Sequence, residues 1–416
     1  MDTTARTISC FIGVSVALAL TGSSRAVHVE QDLDGDASSG LVNHSPNSAV
    51  QAAFAERSYV AGSTAVLHLR GTAASLTVRF YEAGAGHDGP LQGSPVGPPR
   101  HLRTSAHAIS FRLGDWPSGF YYAQVTTPGR GEWYAPLIVR PHRLGAHRVL
   151  VVLPTNTWQA YNFEDRDSWY ADSSVHSIEL SRPFVEGGVP PHYHGYDRGF
   201  LRWLSIRGYE PDFLADDDLD RIANGGELAR AYDLIVFPGH EEYVTEREFD
   251  VIQRYRDLGG NLAFLSANDF FYKVVKRGDR MDGRWRWRDL GRPEAALVGA
   301  QYVDWNHAQY ANRPFTVTGT GKAPWLFRDT GLHDGDSFGN YGIEIDARDG
   351  ASPPDTRVLA RIRDIFGAGK SAEMTYYTTR HGAKVFSAGV MNFGGSALWP
   401  VVSTMMQNLW RELSRP

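Results

Sequence analysis

The chain is nearly without cysteine. The only one in 416 residues is Cys10, and it falls within residues 1–26, which read as a secretory signal peptide. Arg6 supplies the positive end, Ile8–Leu20 a short apolar core, and Ser24-Arg25-Ala26 a small-x-small cleavage site. The expected location is therefore secreted or periplasmic, after cleavage near Ala26. Past that signal, disulfides, thiol nucleophiles and Cys-ligated metals are excluded. Long hydrophobic runs are missing too. The signal core is too short to span a bilayer, and no later run approaches about 18 apolar residues, so no stable membrane insertion is expected. The formal net charge is −5, and no extended basic stretch suggests nucleic acid. No Gly-x-Ser-x-Gly elbow, GxGxxG fingerprint or P-loop joins a strand to a helix, which leaves serine catalysis and nucleotide chemistry without support. Repeats and low-complexity tracts are absent.

What is present is a globular composition, 42% hydrophobic, in a chain long enough for two domains. Residues 27–48 are acidic and unpatterned, a flexible leader. Residues 49–142 alternate in short runs between Gly, Pro and Ser turns: Ala65–Arg70, Ser75–Tyr81, Ser105–Leu113, Gly119–Thr126 and Glu132–Val139. That spacing predicts an antiparallel β-sandwich of immunoglobulin-like size, with Trp116 as a core plug and Pro141–Gly145 as a linker. From residue 143 to 416 the pattern becomes α/β. Val149–Leu153 is a β-branched run buried on both faces. Phe200–Arg207 is an amphipathic helix stopped by Gly208, and Tyr209–Leu214 returns as a strand. Leu234–Phe237, a Thr245-capped helix to about Leu258, and Asn261–Ser266 follow. Short links between such elements predict a doubly wound parallel sheet. Its crevice should lie above three strand ends, after Leu153, Phe237 and Ser266. Pro400–Leu413 lies within a closing amphipathic helix that starts at Trp399.

Chemistry-bearing residues gather at those ends. After Phe237, Pro238-Gly239 hands over to His240, Glu241 and Glu242. Strand-end alternation points His240 and Glu242 to one side, as acid/base groups or metal ligands. Glu241 is expected only to charge the N-terminus of the following helix. The first exit, Pro154–Asn162, is rich in polar and aromatic residues. Its Tyr161 suits a metal ligand, an acid/base group or a packed ring. At the third exit Asn268 suits an oxyanion donor or a turn former. The insertion 163–197 reads as a lid or substrate wall. It holds His192 and His194, whose spacing suits a metal but also arises by chance. Residues 272–330 are rich in Trp and Arg and are expected to form a packed surface with stacked guanidiniums.

Several of these pieces together resemble the large (beta) subunit of N,N-dimethylformamidase and its relatives. They are Trp116-Pro-Ser-Gly, Thr157-Trp-Gln-Ala-Tyr-Asn162, Arg182-Pro-Phe184, Phe200–Gly208 followed by Tyr209, Gly239-His-Glu-Glu-Tyr243, Leu265-Ser-Ala-Asn268 and Gly342-Ile-Glu-Ile-Asp346. The resemblance runs in order from about residue 50 to the end. It implies a sandwich followed by a glutamine-amidotransferase-like (flavodoxin-like) α/β domain lacking that fold's usual Cys nucleophile. It also implies mononuclear iron, in the ferric state, held by two tyrosines and a glutamate, with zinc the weaker candidate. Carried over by motif, Tyr161 and Glu242 are ligands and His240 is the neighbouring acid/base group; Asn268 and Asn162 are expected with it as catalytic residues. The second tyrosine is Tyr196 or Tyr193, Tyr196 being the choice made here. Where relatives have Arg-Pro-Tyr, this chain has Phe184, which cannot ligate. The function implied is metal-assisted hydrolysis of a small amide's carbon–nitrogen bond, since a hard ferric ion suits phenolate and carboxylate oxygens. Homo-oligomerisation stays open. A rival reading is a non-catalytic amidotransferase-like domain that binds a carbohydrate or cell-envelope ligand.

Overall fold

A computed structural model describes residues 50–88, 91–103, 106–163, 168–170 and 174–415. The signal and leader readings lie outside the described residues. Among those described, no helix is long and apolar enough to cross a membrane.

The first 90 or so described residues form two facing sheets. One runs Val50–Phe54, Thr64–Gly71, Ala108–Arg112. The other runs Ser58–Val60, Glu132–Arg140, Gly119–Thr126, Ser75–Asp88, Gly93–Arg103. Pairing is antiparallel except for the edge strand Ser58–Val60. Alternate residues such as Leu67, Leu69, Val78, Phe80, Tyr121 and Ala123 meet in one core, as the period-2 pattern requires. Trp116 stacks on Tyr121 and leans on Phe80, both ring centroids 5.2 Å away. The stretch expected as a linker packs down instead, with Leu144 against the α/β core. A second face of the sandwich, with Phe120, Tyr122, Tyr134 and Ile138, merges into the other large core.

The α/β part is built on a nine-stranded sheet. Its order is Asp212–Ala215, Val149–Leu153, Leu234–Phe237, Asn261–Phe264, Lys384–Ser387, Ala372–Thr378, Arg357–Ile362, Arg313–Val317, Ser337–Tyr341. The first five are parallel and the remainder antiparallel. Val149, Val151, Val236 and Ala263 face the helices Arg198–Arg207 and Pro400–Leu413. Leu150, Val152, Ile235 and Leu262 face Glu246–Asp257 and its neighbours. Helices pack on both faces of this mixed sheet; its parallel half follows the strand–helix alternation of the sequence, and its antiparallel half departs from the parallel sheet expected. The strand expected at Tyr209–Leu214 begins only at Asp212. Pro211 has no N–H for the ladder, and Tyr209 packs instead on Trp203 and Trp410. Two smaller sheets flank the sheet's carboxyl edge: Ser177–Glu179, Arg280–Arg286, Tyr272–Arg277, Tyr243–Thr245, and the pair Gln301–Trp305 with Glu344–Ala347. Gly335-Asp-Ser-Phe-Gly339 has the spacing of a nucleophile elbow, but Ser337 is exposed and opens an edge strand.

Close backbone approach fixes how the turn carrying His240 sits. A Cβ on Gly395 would lie 1.8 Å from the Gly195 carbonyl oxygen, and one on Gly239 would lie 2.1 Å from Asp197 Oδ1. Asp197 is buried, and its Oδ2 accepts from Trp158 Nε1 at 3.2 Å. Its Oδ1 has no hydrogen-bond partner among the described residues. Burial pushes the Asp197 carboxyl from 3.8 up to about 8. The folded chain therefore keeps a proton that the unfolded chain releases, and this contribution to stability is full below the unfolded value and lost as pH rises towards the folded one.

Two outcomes follow from this packing. Gly395→Ala should cost about 1–3 kcal/mol of stability through overpacking, measured by urea unfolding; an unchanged midpoint would show that the contact relaxes freely. Asp197→Asn should raise Tm relative to the parent at pH 8 but not at pH 4, and an equal shift at both would remove the buried acid from the account.

Candidate functional site

Three strand exits are bolted to one another. After Val149–Leu153, Pro154 leads into the helix Thr155–Ala160, all of whose residues are buried, and Tyr161 closes it. Thr157 Oγ1 accepts from the backbone N–H of Glu242 at 3.0 Å and of Tyr243 at 3.3 Å. Asn156 Nδ2 donates to the Tyr243 carbonyl at 3.0 Å. The first exit thus holds the second. The third exit joins through Glu241 N–H to Asp269 Oδ1 at 3.1 Å and Tyr272 N–H to the Glu242 carbonyl at 2.9 Å. Asn268 sits in the left-handed region at φ 58°, unusual for a residue with a Cβ. Its N–H donates to Asp346 Oδ1 at 2.8 Å.

Side chains converge where these exits meet. The Tyr161 hydroxyl donates to Glu242 Oε2 at 2.9 Å. His240 Nε2 lies 3.4 Å from the same oxygen, 3.4 Å from Asn268 Nδ2 and 3.8 Å from Glu344 Oε2. Tyr170 stacks on Tyr161 with ring centroids 4.2 Å apart. Its hydroxyl donates to Glu242 Oε2 at 3.2 Å and meets the Tyr243 hydroxyl at 2.5 Å. His192 stands edge-on to Tyr161 at 5.4 Å. Tyr161, His240, Glu242 and Asn268 are therefore together, as the sequence reading placed them.

Other expectations fall differently. Asn162 faces away: its Nδ2 donates to Gln159 Oε1 and the Pro183 carbonyl, and its Oδ1 accepts from Val185 N–H. It ties down the insertion instead of facing His240. Tyr193 sits in the seam with the sandwich, its hydroxyl on the Leu91 carbonyl and its ring against Phe120. Tyr196 stacks on His192 at 5.1 Å and presents its ring to His240 at 6.5 Å, behind the cluster. His194 packs edge-on to Tyr193, so the two histidines face different neighbours. Phe184 packs on Trp158 in the core. Glu241 does not charge a helix end. It is buried, and burial, then the facing carboxyls of Asp216, Glu248 and Asp269, raise it well above the ordinary value; the helix begins five residues beyond it, at Glu246 behind Thr245.

Sequence reasoning missed Tyr170 and Glu344. Tyr170 lies in the insertion, where no periodicity marks direction. Glu344 stands inside the quoted Gly342–Asp346 motif, and its residue type was the available signal.

Burial dominates the electrostatics. It pushes His240 down to about 3, with His192 adding to the shift. It raises Glu242 and Glu344, each further affected by its neighbours, and lifts the phenols of Tyr161 and Tyr170 well above 10.0. Carboxyl and phenol oxygens gathered out of water are costly unless hydrogen-bonded, paired or bound to a cation. Glu344 Oε2 and Asn268 Oδ1 are buried without a hydrogen-bond partner among the described residues. The hydroxyls of Tyr161 and Tyr170 both reach one Glu242 oxygen, at 2.9 and 3.2 Å, so three oxygen-bearing side chains converge on a common point. Among the described residues no three His, Cys, Asp or Glu side chains form a metal cage, so a metal here would depend on the tyrosines. The donor set fits a hard cation.

Comparison with known proteins agrees with the motifs. The N,N-dimethylformamidase beta subunit of Paracoccus aminophilus is 23% identical, the match covering 69% of this chain and 51% of that protein. That of an Alcaligenes species is 22% identical over 50% of this chain and 36% of its own length. The chain thus spans about half or less of the curated relatives it matches. Among solved structures, superoxide reductase (neelaredoxin) from Ignicoccus hospitalis aligns with 22% of this chain and 80% of its own, at 16% identity and a TM-score of 0.17, a likeness on which nothing is built. The model of the "N,N-dimethylformamidase beta subunit-like, C-terminal" family matches residues 106–400, and the chain belongs to that family.

Proposed function

We propose that this chain is a hydrolase of carbon–nitrogen bonds in amides, using a mononuclear ferric ion held by Tyr161, Glu242 and Tyr170. Zinc is the weaker candidate. The observation that carries the reading is the convergence of the Tyr161 hydroxyl and His240 Nε2 on one Glu242 oxygen, 2.9 and 3.4 Å away, from two different strand exits. Tyr170 takes the place expected for Tyr196, because its hydroxyl already touches Glu242. Such an ion would polarise an amide carbonyl and make a neighbouring water more acidic.

The chain's own residues supply the remainder. Neutral His240 accepts a proton from water and returns it to the departing amine, a general base followed by a general acid. Asn268 Nδ2, held by a strained backbone and an adjacent Asp346 bond, is positioned to donate to the developing oxyanion. Glu344 Oε2, 3.8 Å from His240 Nε2 and beyond hydrogen-bond reach, adds a second carboxyl beside the imidazole. The short helix after the first strand excludes water from one side.

The finer fold reading is an immunoglobulin-like sandwich at 49–142 and a glutamine-amidotransferase-like domain at 143–416, secreted or periplasmic after loss of residues 1–26. The relatives are named as beta subunits, which supports testing this chain for a partner subunit as well as for self-association. The carbohydrate-binding alternative draws on the exposed rings of Trp285, Trp305 and Tyr310.

The test is release of amine from a panel of small amides, N,N-dimethylformamide included. His240→Ala should lower kcat about 10²–10⁴-fold while leaving metal content unchanged, and Glu242→Ala should remove both metal and turnover. Turnover indifferent to both substitutions would sink the assignment. Glycan binding that persists in Glu242→Ala, with no amide cleaved by the parent, would favour the alternative.

A further inference from the structure

The Trp/Arg-rich stretch has a charge pattern that the hydrolytic machinery does not use. Arg284 and Arg286 lie on either side of Trp285 at the end of the strand Arg280–Arg286, where its pairing with Tyr272–Arg277 is irregular. The Arg284 guanidinium lies 5.3 Å from the Trp169 ring centroid and that of Arg286 lies 5.7 Å from Phe271. Both residues are exposed. Their neighbours Lys273, Arg288 and Arg292 are each paired with a carboxylate, Glu246, Glu294 and Asp250 respectively. Arg284 and Arg286 have no carboxylate partner among the described residues, in a chain with more acidic than basic side chains.

The rings beneath these two guanidiniums lead inward to the site. Trp169 packs on Tyr243 at 5.1 Å, the Tyr243 hydroxyl meets that of Tyr170 at 2.5 Å, and Tyr170 donates to Glu242. Phe271 packs on Tyr302 at 5.1 Å. Tyr302 in turn is raised by burial and then by the charges of Glu344, Asp304 and Glu242. Tyr170 itself is 41% exposed, whereas Glu242 and His240 behind it are buried.

We propose that Arg284, with Arg286 beside it, recognises a carboxylate on the substrate, so that the site takes amides bearing an acid group, of the N-acyl amino acid kind. This rests on the amide-hydrolase reading of the same site. A guanidinium presents a planar fork that matches a carboxylate in two parallel hydrogen bonds. Stacking on an aromatic ring restrains the fork beforehand and lowers the ordering cost on binding. With the substrate's carboxylate held by Arg284 at the rim, its amide is directed inward, towards Glu242 and His240.

The experiment compares N-acetylglycine with its uncharged counterpart N-acetylglycinamide. Binding is followed by tryptophan fluorescence and calorimetry, and cleavage is followed in parallel. The parent protein should bind N-acetylglycine about tenfold more tightly than the uncharged probe, and added salt should narrow the gap. Arg284→Gln should erase most of that gap while weakening the uncharged probe far less; Arg284→Lys should restore it only in part. Equal affinity of the parent for both probes, or an equal loss of both in Arg284→Gln, would overturn the inference. Selective, Arg284-dependent binding of N-acetylglycine without cleavage of any amide would leave the rim inference standing and overturn the hydrolase reading.

Discussion

Thr157 is the small side chain on which the site depends. Its hydroxyl takes two backbone N–H groups, those of Glu242 and Tyr243, and so fixes the second strand exit against the short helix of the first. The parallel order brings Val149–Leu153, Leu234–Phe237 and Asn261–Phe264 side by side. Adjacent strands alone would leave three independent loops. Hydrogen bonds accepted by Thr157, Asp269 and Asp346 and donated by Asn156 convert them into one rigid rim, and a site on a rigid rim holds its geometry. Every other contact in the cluster, from Tyr161 on Glu242 to Asn268 on His240, presupposes that rim.

That rigidity concentrates oxygens where water is scarce. Phenols and carboxyls from Tyr161, Tyr170, Glu242 and Glu344 crowd a single imidazole, and burial drives each of them towards its neutral form. Removing charge by protonation is one way to tolerate such crowding; supplying a cation is another. The second gives the cluster a chemical use, because an ion in a dry pocket acts on a carbonyl more strongly than it would in water. The two arginines at the rim, without a carboxylate partner among the described residues, would give the proposed substrate its direction: carboxylate at the edge, amide inward.

Much of this was legible before the structure, and the boundary is physical. Buried runs such as Val149–Leu153 and Leu234–Phe237 carry no polar residue, so their ends are sharp; His240 and Glu242 come within five residues of Phe237, Asn268 within four of Phe264, and Tyr161 one short helix beyond Leu153. Tyr170 reaches Glu242 across 72 residues from an insertion without periodicity, and Glu344 comes from a short strand paired beyond the parallel half of the sheet. The antiparallel half was itself unread: Ala372–Thr378 is buried at all but its last position, so it lacks the alternation that marks a strand. Glu241 was misjudged because sequence order puts it near a helix start, whereas the intervening Tyr243–Thr245 strand turns it into the interior. Asn162 was carried by its neighbour's motif, and spacing alone does not show that an amide is already engaged with Gln159 and Pro183. Pro211 shows the opposite case, in which one residue's missing N–H explains a strand that starts late.

The central claim is that Tyr161, Tyr170 and Glu242 hold an ion, and iron content with the visible spectrum tests it most directly. Purified protein supplied with ferric iron, compared with Tyr161→Phe and Tyr170→Phe, should contain about one iron per chain. It should also show a visible phenolate-to-iron band that each substitution weakens or shifts. A colourless protein that takes up no iron, or a band untouched by both substitutions, would contradict the account.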